Sequence, residues 1–285
     1  MTVKNVTVIG SGIMGAGIAQ VAMTSGYNVV MNDLNDEILA RGKAKIEGFL
    51  ASKVEKGKMA KEEFDDCMGR LALEADLRKA AADADLVIEA ASEKFEIKKS
   101  IFNTISEVCK PEAVLATNTS SISITKIAAE AKDPSRVIGM HFFNPAPVMQ
   151  LLELIPGLQT ADEVLALLRD DVGVKMGKVV ITSKDHAAFI VNSLMEPMIN
   201  EAIYLLDSGV GTREDIDNGA KYGLRHPMGP LELADLAGLD TVLAVLEVMY
   251  NESKNAKYAP CPLLRKMVAA GKLGRKSGHG FYDYE

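Results

Sequence analysis

Val6-Thr7-Val8-Ile9-Gly10-Ser11-Gly12-Ile13-Met14-Gly15-Ala16-Gly17-Ile18-Ala19-Gln20-Val21 reads from left to right as a β-branched run, a glycine turn and an apolar helix. A second apolar run, Tyr27 to Asn32, ends on Asp33. Strand, glycines, helix and a following acid form the fingerprint of a dinucleotide-binding unit. Gly10 permits the sharp turn, Gly12 lets the backbone approach a pyrophosphate, and Gly15 lets the helix pack closely on the strand. Ile13 and Met14 complete the turn at the helix N-terminus, where unpaired N–H groups and the helix dipole favour negative charge. Asp33 is placed to accept from ribose hydroxyls and to repel a 2′-phosphate, so the expected cofactor is NAD rather than NADP.

Beyond the first two strands, helical patterns alternate with short apolar runs. Leu86 to Glu89, Val114 to Thr117, Val137 to His141, Gln150 to Ile155 and Val179 to Thr182 read as strands. The alternation implies an α/β fold, a Rossmann-type doubly wound sheet. After Ala187 only helices are expected, over Phe189 to Asp207, Arg213 to Tyr222, Leu231 to Ala237, Leu239 to Glu252 and Pro262 to Ala270. The expected organisation is therefore a dinucleotide-binding domain over 1–185 and an all-α C-terminal domain over 186–285. The polar stretch Thr182 to His186 forms the link.

With 285 residues, 48% of them hydrophobic and 25% charged, the chain has the composition of a soluble globular protein with two cores. A net charge of −7 argues against a nucleic-acid surface. Cys67, Cys109 and Cys261 are far apart and show no CxxC spacing, so neither a disulfide frame nor a metal site is expected, and a reducing cytoplasm fits. No apolar run approaches the roughly 18 residues of a membrane span. The first strand starts so near Met1 that no secretory leader is expected. One segment runs against the overall charge. Arg41 to Glu62 holds seven basic residues, Arg41, Lys43, Lys45, Lys53, Lys56, Lys58 and Lys61, against Glu47, Glu55 and Glu62. It reads either as a solvated helical hairpin or as a landing site for a phosphate-rich substrate handle.

A substrate meets the dinucleotide at the carboxyl ends of the strands. Three polar clusters lie there: Glu89 with Glu93 and Lys94, the run Thr117-Asn118-Thr119-Ser120-Ser121, and His141. Hydride transfer to a carbonyl needs a proton moved in the same event, which suits a histidine at neutral pH. Only His141, of four histidines, ends a buried strand. Glu153, an acid inside the apolar Leu151-Leu152-Glu153-Leu154-Ile155, is its expected partner, because a buried carboxylate is costly unless paired. An edge-strand glutamate facing solvent is the competing account. The Ser/Thr run could cap a helix before Ile124, or supply Ser120 as a donor to a substrate oxygen.

These residues fall into a familiar order. Gly10-Ser11-Gly12-Ile13-Met14-Gly15, Asn118-Thr119-Ser120-Ser121, His141-Phe142-Phe143-Asn144-Pro145, Phe189-Ile190-Val191-Asn192, His226-Pro227-Met228-Gly229-Pro230 and Gly274-Arg275-Lys276-Ser277-Gly278 together resemble the 3-hydroxyacyl-CoA dehydrogenase family across essentially the whole chain. The length is that of its single-function, short-chain branch. The resemblance implies NAD-dependent interconversion of (S)-3-hydroxyacyl-CoA and 3-oxoacyl-CoA, with His141 as general acid/base and Glu153 orienting it. By the same resemblance Ser120 and Asn192 hold the substrate oxygen, Glu89 and Lys94 lie along the nicotinamide ribose, and Asn118 sits close to the reacting groups. Lys53 and Lys56 are the expected contacts to the CoA phosphates. A homodimer or higher homo-oligomer is likewise implied. The family's Pro-Gly pair before the junction Phe is replaced by Ala187-Ala188, which bears on the hinge more than on the chemistry. Two other readings stay open: a dehydrogenase of a small CoA-free hydroxy acid, and a structural NAD-binding protein on the same fold.

Overall fold

Eight strands are strung along the first part of the chain: β1 (Asn5–Ile9), β2 (Asn28–Asn32), β3 (Leu71–Glu74), β4 (Leu86–Glu89), β5 (Val114–Thr117), β6 (Val137–Phe142), β7 (Leu151–Pro156) and β8 (Val179–Thr182). In the computed structural model, which describes residues 2–284, they form one sheet in the order β3-β2-β1-β4-β5-β6-β7-β8. All neighbours are parallel except β6 and β7, which run antiparallel. The order reverses between β1 and β4, and a doubly wound sheet opens its ligand crevice at that point. Seven of these strands match the apolar runs of the sequence. β3 does not announce itself, being a four-residue, half-exposed edge strand whose Leu-Ala-Leu-Glu is too short to show a period.

The helices of this part are α1 (Ile13–Thr24), α2 (Asp36–Glu55), α3 (Lys61–Gly69), α4 (Leu77–Ala82), α5 (Phe95–Val108), α6 (Ile124–Ala128), α7 (Asp162–Leu167) and α8 (Gly173–Lys175). Strand residues alternate between two cores. Val8, Ile88, Ala116 and Met140 pack with Ile18, Leu39 and Ile46 on one side. Ile9, Val87, Leu115 and Val137 pack with Phe102, Ile105 and Ile127 on the other.

The chain divides into two compact units, Met1–His186 and Ala187–Glu285. The second is built from α9 (Val191–Asp207), α10 (Arg213–Asn218), α11 (Pro230–Ala237), α12 (Leu239–Ser253) and α13 (Pro262–Ala269), around Ile199, Ile203, Leu231, Leu239, Val242, Leu246, Leu264 and Phe281. Helix α9 starts two residues later than the sequence suggests because Ala188 and Phe189 both take left-handed backbone, at φ 65° and 53°. The junction thus keeps a conformation that glycine would favour, at about 1–2 kcal/mol per L-residue.

Two buried aspartates fix the C-terminal segment of this unit. Asp235 accepts from Phe281 N (2.9 Å), Tyr282 N (2.9 Å) and the Tyr284 hydroxyl (3.0 Å). Asp217 accepts from Leu231 N (2.8 Å), Glu232 N (3.1 Å) and the Tyr282 hydroxyl (2.8 Å). Glycine is required opposite them, since a Cβ at Gly229 would collide with the Asp217 carboxyl and one at Gly280 with that of Asp235. The His226-Pro227-Met228-Gly229-Pro230 and Gly274 to Tyr284 motifs therefore have a packing explanation. Asp235→Ala strands three donors at once and is expected to destabilise the helical unit by about 3 kcal/mol. A urea titration checks this, and a loss below about 1 kcal/mol would contradict the latch.

Candidate active site

The glycine turn forms at the C-terminal end of β1 with the geometry a dinucleotide needs. Gly10 sits at φ 95°, and a Cβ there would lie 2.6 Å from Ala90 O. A Cβ at Gly15 would overlap Gly10 O, so that position closes α1 onto the turn. At Gly12 a Cβ would meet nothing within 4 Å, so the space beyond it is open for a ligand. No side chain caps α1 and no acid occupies its first turn, which leaves its N–H groups for an anion. Beside the turn is a cleft of about 810 Å³ lined by Gly10, Gly12, Asp33, Leu34, Ala91 and Ile97 among others. Ile13, exposed at the head of α1, and the half-buried Met14 border the same turn. Asp33 is braced within this cleft. Its Oδ2 accepts from Ser11 N (2.7 Å) and Ser11 Oγ (2.8 Å), and its Oδ1 from Leu34 N (2.8 Å). These residues fit a bound NAD.

His141 and Glu153 face each other in the antiparallel register of β6 and β7. The gap between Nδ1 and Glu153 Oε2 is 2.8 Å, with Glu153 fully buried and His141 only 6% exposed. Phe143 packs against the imidazole with its ring tilted by 54°, at 4.6 Å between centroids. Strand pairing, rather than a loop, sets this geometry. Asn118 contributes to it, since its Oδ1 accepts from Phe142 N at 2.8 Å and so pins the strand one residue past the histidine. Chain 143–150, which joins the two strands, is held by Lys178, whose Nζ donates to Ala146 O and Met149 O, both at 2.7 Å. Burial lowers the Lys178 ammonium below its ordinary value.

The Ser/Thr run is organised by a residue that the sequence placed only near the site. Glu93 Oε1 accepts from Thr119 Oγ1 (2.6 Å), Ser120 N (2.9 Å), Ser120 Oγ (3.3 Å), Ser121 N (3.2 Å) and Ser121 Oγ (3.1 Å). Burial by itself raises the Glu93 carboxyl, but the Lys98 ammonium and these donors outweigh it and hold it below the usual range. Capping of α6 falls instead to Ser123, which accepts from Lys126 N, and to Asp185, which accepts from Ser123 Oγ, Ile124 N and Thr125 N.

Glu89 has no accessible surface. Its oxygens lie 2.9 and 2.8 Å from Lys98 Nζ, and it also accepts from Thr117 Oγ1 (2.6 Å) and Ala91 N (2.8 Å). Lys98 reaches Glu93 Oε2 as well, at 3.4 Å, so one buried ammonium links the end of β4 to the Ser120 loop. Lys94 is exposed at the head of α5. The signal for Lys98 was available: it lies on the apolar face formed by Phe95, Phe102 and Ile105 at helical spacing, where a lysine needs a partner.

In the basic segment Arg41 pairs with Glu37 and Lys61 with Asp65, while Lys53 and Lys56 make no ion pair among the described residues. Lys53 is half-buried in the last turn of α2, and Lys56 is exposed just beyond it. Lys53 also borders a pocket of about 230 Å³ with Gln20, Thr24, Met149 and Lys178. Asn192 belongs to the second unit, in the first turn of α9, and is buried. No group of three or more potential metal ligands occurs among the described residues, and none of their helices is long and apolar enough to cross a membrane.

Residues 5–186 match the family model described as 3-hydroxyacyl-CoA dehydrogenase, NAD binding domain, and residues 189–284 match its C-terminal domain. A 3-hydroxybutyryl-CoA dehydrogenase of Bradyrhizobium diazoefficiens is 50% identical over 99% of this chain and 96% of that protein. A probable 3-hydroxybutyryl-CoA dehydrogenase of Bacillus subtilis is 47% identical over 100% of this chain and 99% of that protein. Among solved structures, the (S)-3-hydroxybutyryl-CoA dehydrogenase PaaH1 of Ralstonia eutropha superposes with a TM-score of 0.96 at 44% identity, covering 100% of both chains.

Proposed function

The chain belongs to the 3-hydroxyacyl-CoA dehydrogenase family, and from that premise we propose how its own residues carry the reaction. It is an NAD-dependent enzyme that interconverts short-chain (S)-3-hydroxyacyl-CoA and 3-oxoacyl-CoA. In our reading the His141–Glu153 pair moves the proton, and the 2.8 Å contact between them is the observation that carries the proposal. Nδ1–H of His141 donates to Glu153, which fixes the tautomer and makes Nε2 the proton-transfer atom. In oxidation, Nε2 takes the hydroxyl proton as the C3–O bond becomes a carbonyl. NAD held at the Gly10–Gly15 turn would supply the acceptor for the C3 hydride, and NADH the donor in the reverse direction. Glu153 then stabilises the imidazolium, which gives the proton back in reduction.

Ser120, from the loop that Glu93 gathers, and Asn192 hydrogen-bond the substrate oxygen and polarise it in both directions. Asn118 holds the end of β6 against this loop. The Gly10–Gly15 turn with Ile13 and Met14 takes the pyrophosphate and Asp33 the adenosine ribose. Lys94 is assigned to the nicotinamide side, with Glu89 acting from beneath through Lys98. Lys53 and Lys56, having no acidic partner, are assigned to the CoA phosphates. A cytoplasmic setting agrees with three free thiols. Self-association is assigned to the helical unit, where Leu194, Val210 and Leu224 are exposed.

Asp33→Ala is expected to weaken NADH binding about tenfold and to relax rejection of NADPH, since it removes both a ribose acceptor and a repelling charge. An unchanged NADH to NADPH ratio in fluorescence titrations would remove Asp33 from cofactor selection. The reaction itself is tested by NADH oxidation with acetoacetyl-CoA and with free acetoacetate. Turnover of the thioester alone is expected. Equal turnover of the free acid would favour a CoA-free substrate, and turnover of neither a non-catalytic role.

A further inference from the structure

Helix α9 carries three buried polar side chains at four-residue intervals, Asn192, Glu196 and Asn200. This spacing stacks them on one face. Asn200 has a structural task, because its amide donates to Ala259 O and accepts from Cys261 N, both at 2.9 Å. Glu196 has none. It is 2% exposed, forms no ion pair, and its Oε2 is buried with no hydrogen-bond partner among the described residues. Buried polar groups are nearly always satisfied, and a carboxyl left without a partner is costly where an aliphatic side chain would fill the space. An aliphatic residue would avoid that cost, so the carboxyl is not kept for packing.

We propose that Glu196 limits the length of acyl chain the enzyme accepts, by presenting a polar group where an apolar tail would otherwise extend. The proposal rests on Asn192 holding the 3-oxygen of the substrate. Side chains at i and i+4 have Cβ atoms about 5–6 Å apart, which sets Glu196 several carbon–carbon bonds from that oxygen. A tail ending at C4 stops short of Glu196. A longer one must pack its methylenes against the carboxyl and strip its remaining hydration without offering a hydrogen bond in return, so it is rejected by an unfavourable contact rather than by lost attraction.

The test compares kcat/KM for acetoacetyl-CoA and 3-oxohexanoyl-CoA in the wild-type enzyme and in Glu196→Ile, Glu196→Met and Glu196→Gln. The hexanoyl to butyryl ratio is expected to rise about tenfold in the two apolar variants, mostly through KM for the longer substrate, and to change less than about twofold in Glu196→Gln. Two apolar side chains of different shape separate polarity from a packing fault. An unchanged ratio in variants that still reduce acetoacetyl-CoA overturns the inference alone, and so does an equal shift in Glu196→Gln. A wild-type enzyme inactive on both thioesters overturns it together with the reading it rests on.

Discussion

His141→Ala lowers kcat for NADH-dependent reduction of acetoacetyl-CoA by about 10³-fold, while the Kd for NADH stays within about twofold. The rate loss corresponds to about 4 kcal/mol of transition-state stabilisation. The split between the two parameters follows from the structure. His141 is the penultimate residue of β6, whereas the cleft beside Asp33 lies at the ends of β1, β2 and β4, with β5 between in the sheet order. Glu153→Gln keeps the size of the side chain but removes the charge that orients and stabilises the imidazolium, so a fall of about 10²–10³ is expected. Because β6 and β7 hold the two residues in register, the variants should keep the fold. Steady-state kinetics beside NADH fluorescence titrations decide the matter, and either variant retaining a tenth of wild-type kcat excludes its residue from proton transfer.

The second large effect is on stability and is tied to pH. Burial pushes the Glu196 carboxyl up to about 8, from an ordinary value of 4.5. Below pH 4.5 the folded and unfolded chains both hold the proton, and Glu196 costs nothing on this account. Between 4.5 and 8 only the folded state holds it, so stability falls as pH rises, by up to about 1.4 kcal/mol per unit. Above 8 both states are ionised, and the whole penalty, about 5 kcal/mol, is in place. Glu196→Gln removes the titration. Its stability should match the wild type near pH 4.5 and exceed it by several kcal/mol at pH 8.5 in urea unfolding. An offset of the same size at both pH values would show that Glu196 keeps an ordinary carboxyl in the folded protein.

The sequence carried much of this arrangement because its strongest signals are local. A β-branched run, a glycine turn and an apolar helix specify their own geometry, and Gly10 and Gly15 are where backbone atoms leave no room for a side chain. His141 and Glu153 were legible together, since an acid inside an apolar strand demands a partner, and here the partner lies directly across the ladder. What escaped was non-local or too short. Lys98 reveals itself only once the phase of α5 is known, because its partner Glu89 lies on another element. Glu93 looks like one more surface acid until the Ser120 loop folds onto it. Glu196 sits in the run Ile190 to Met198, which reads as apolar overall, and only the helical phase shared with Asn192 and Asn200 turns it inward. In each case a charged residue was visible, but the surface it would face was not.

The most direct test of the central claim follows the hydride. NADH carrying deuterium at both C4 positions is incubated with the enzyme and acetoacetyl-CoA, and the thioester product is analysed by mass spectrometry and for its configuration. A product with one deuterium at C3 and an (S)-hydroxyl is the predicted result. Reduction without deuterium at C3, or no reduction of the thioester, would contradict the account.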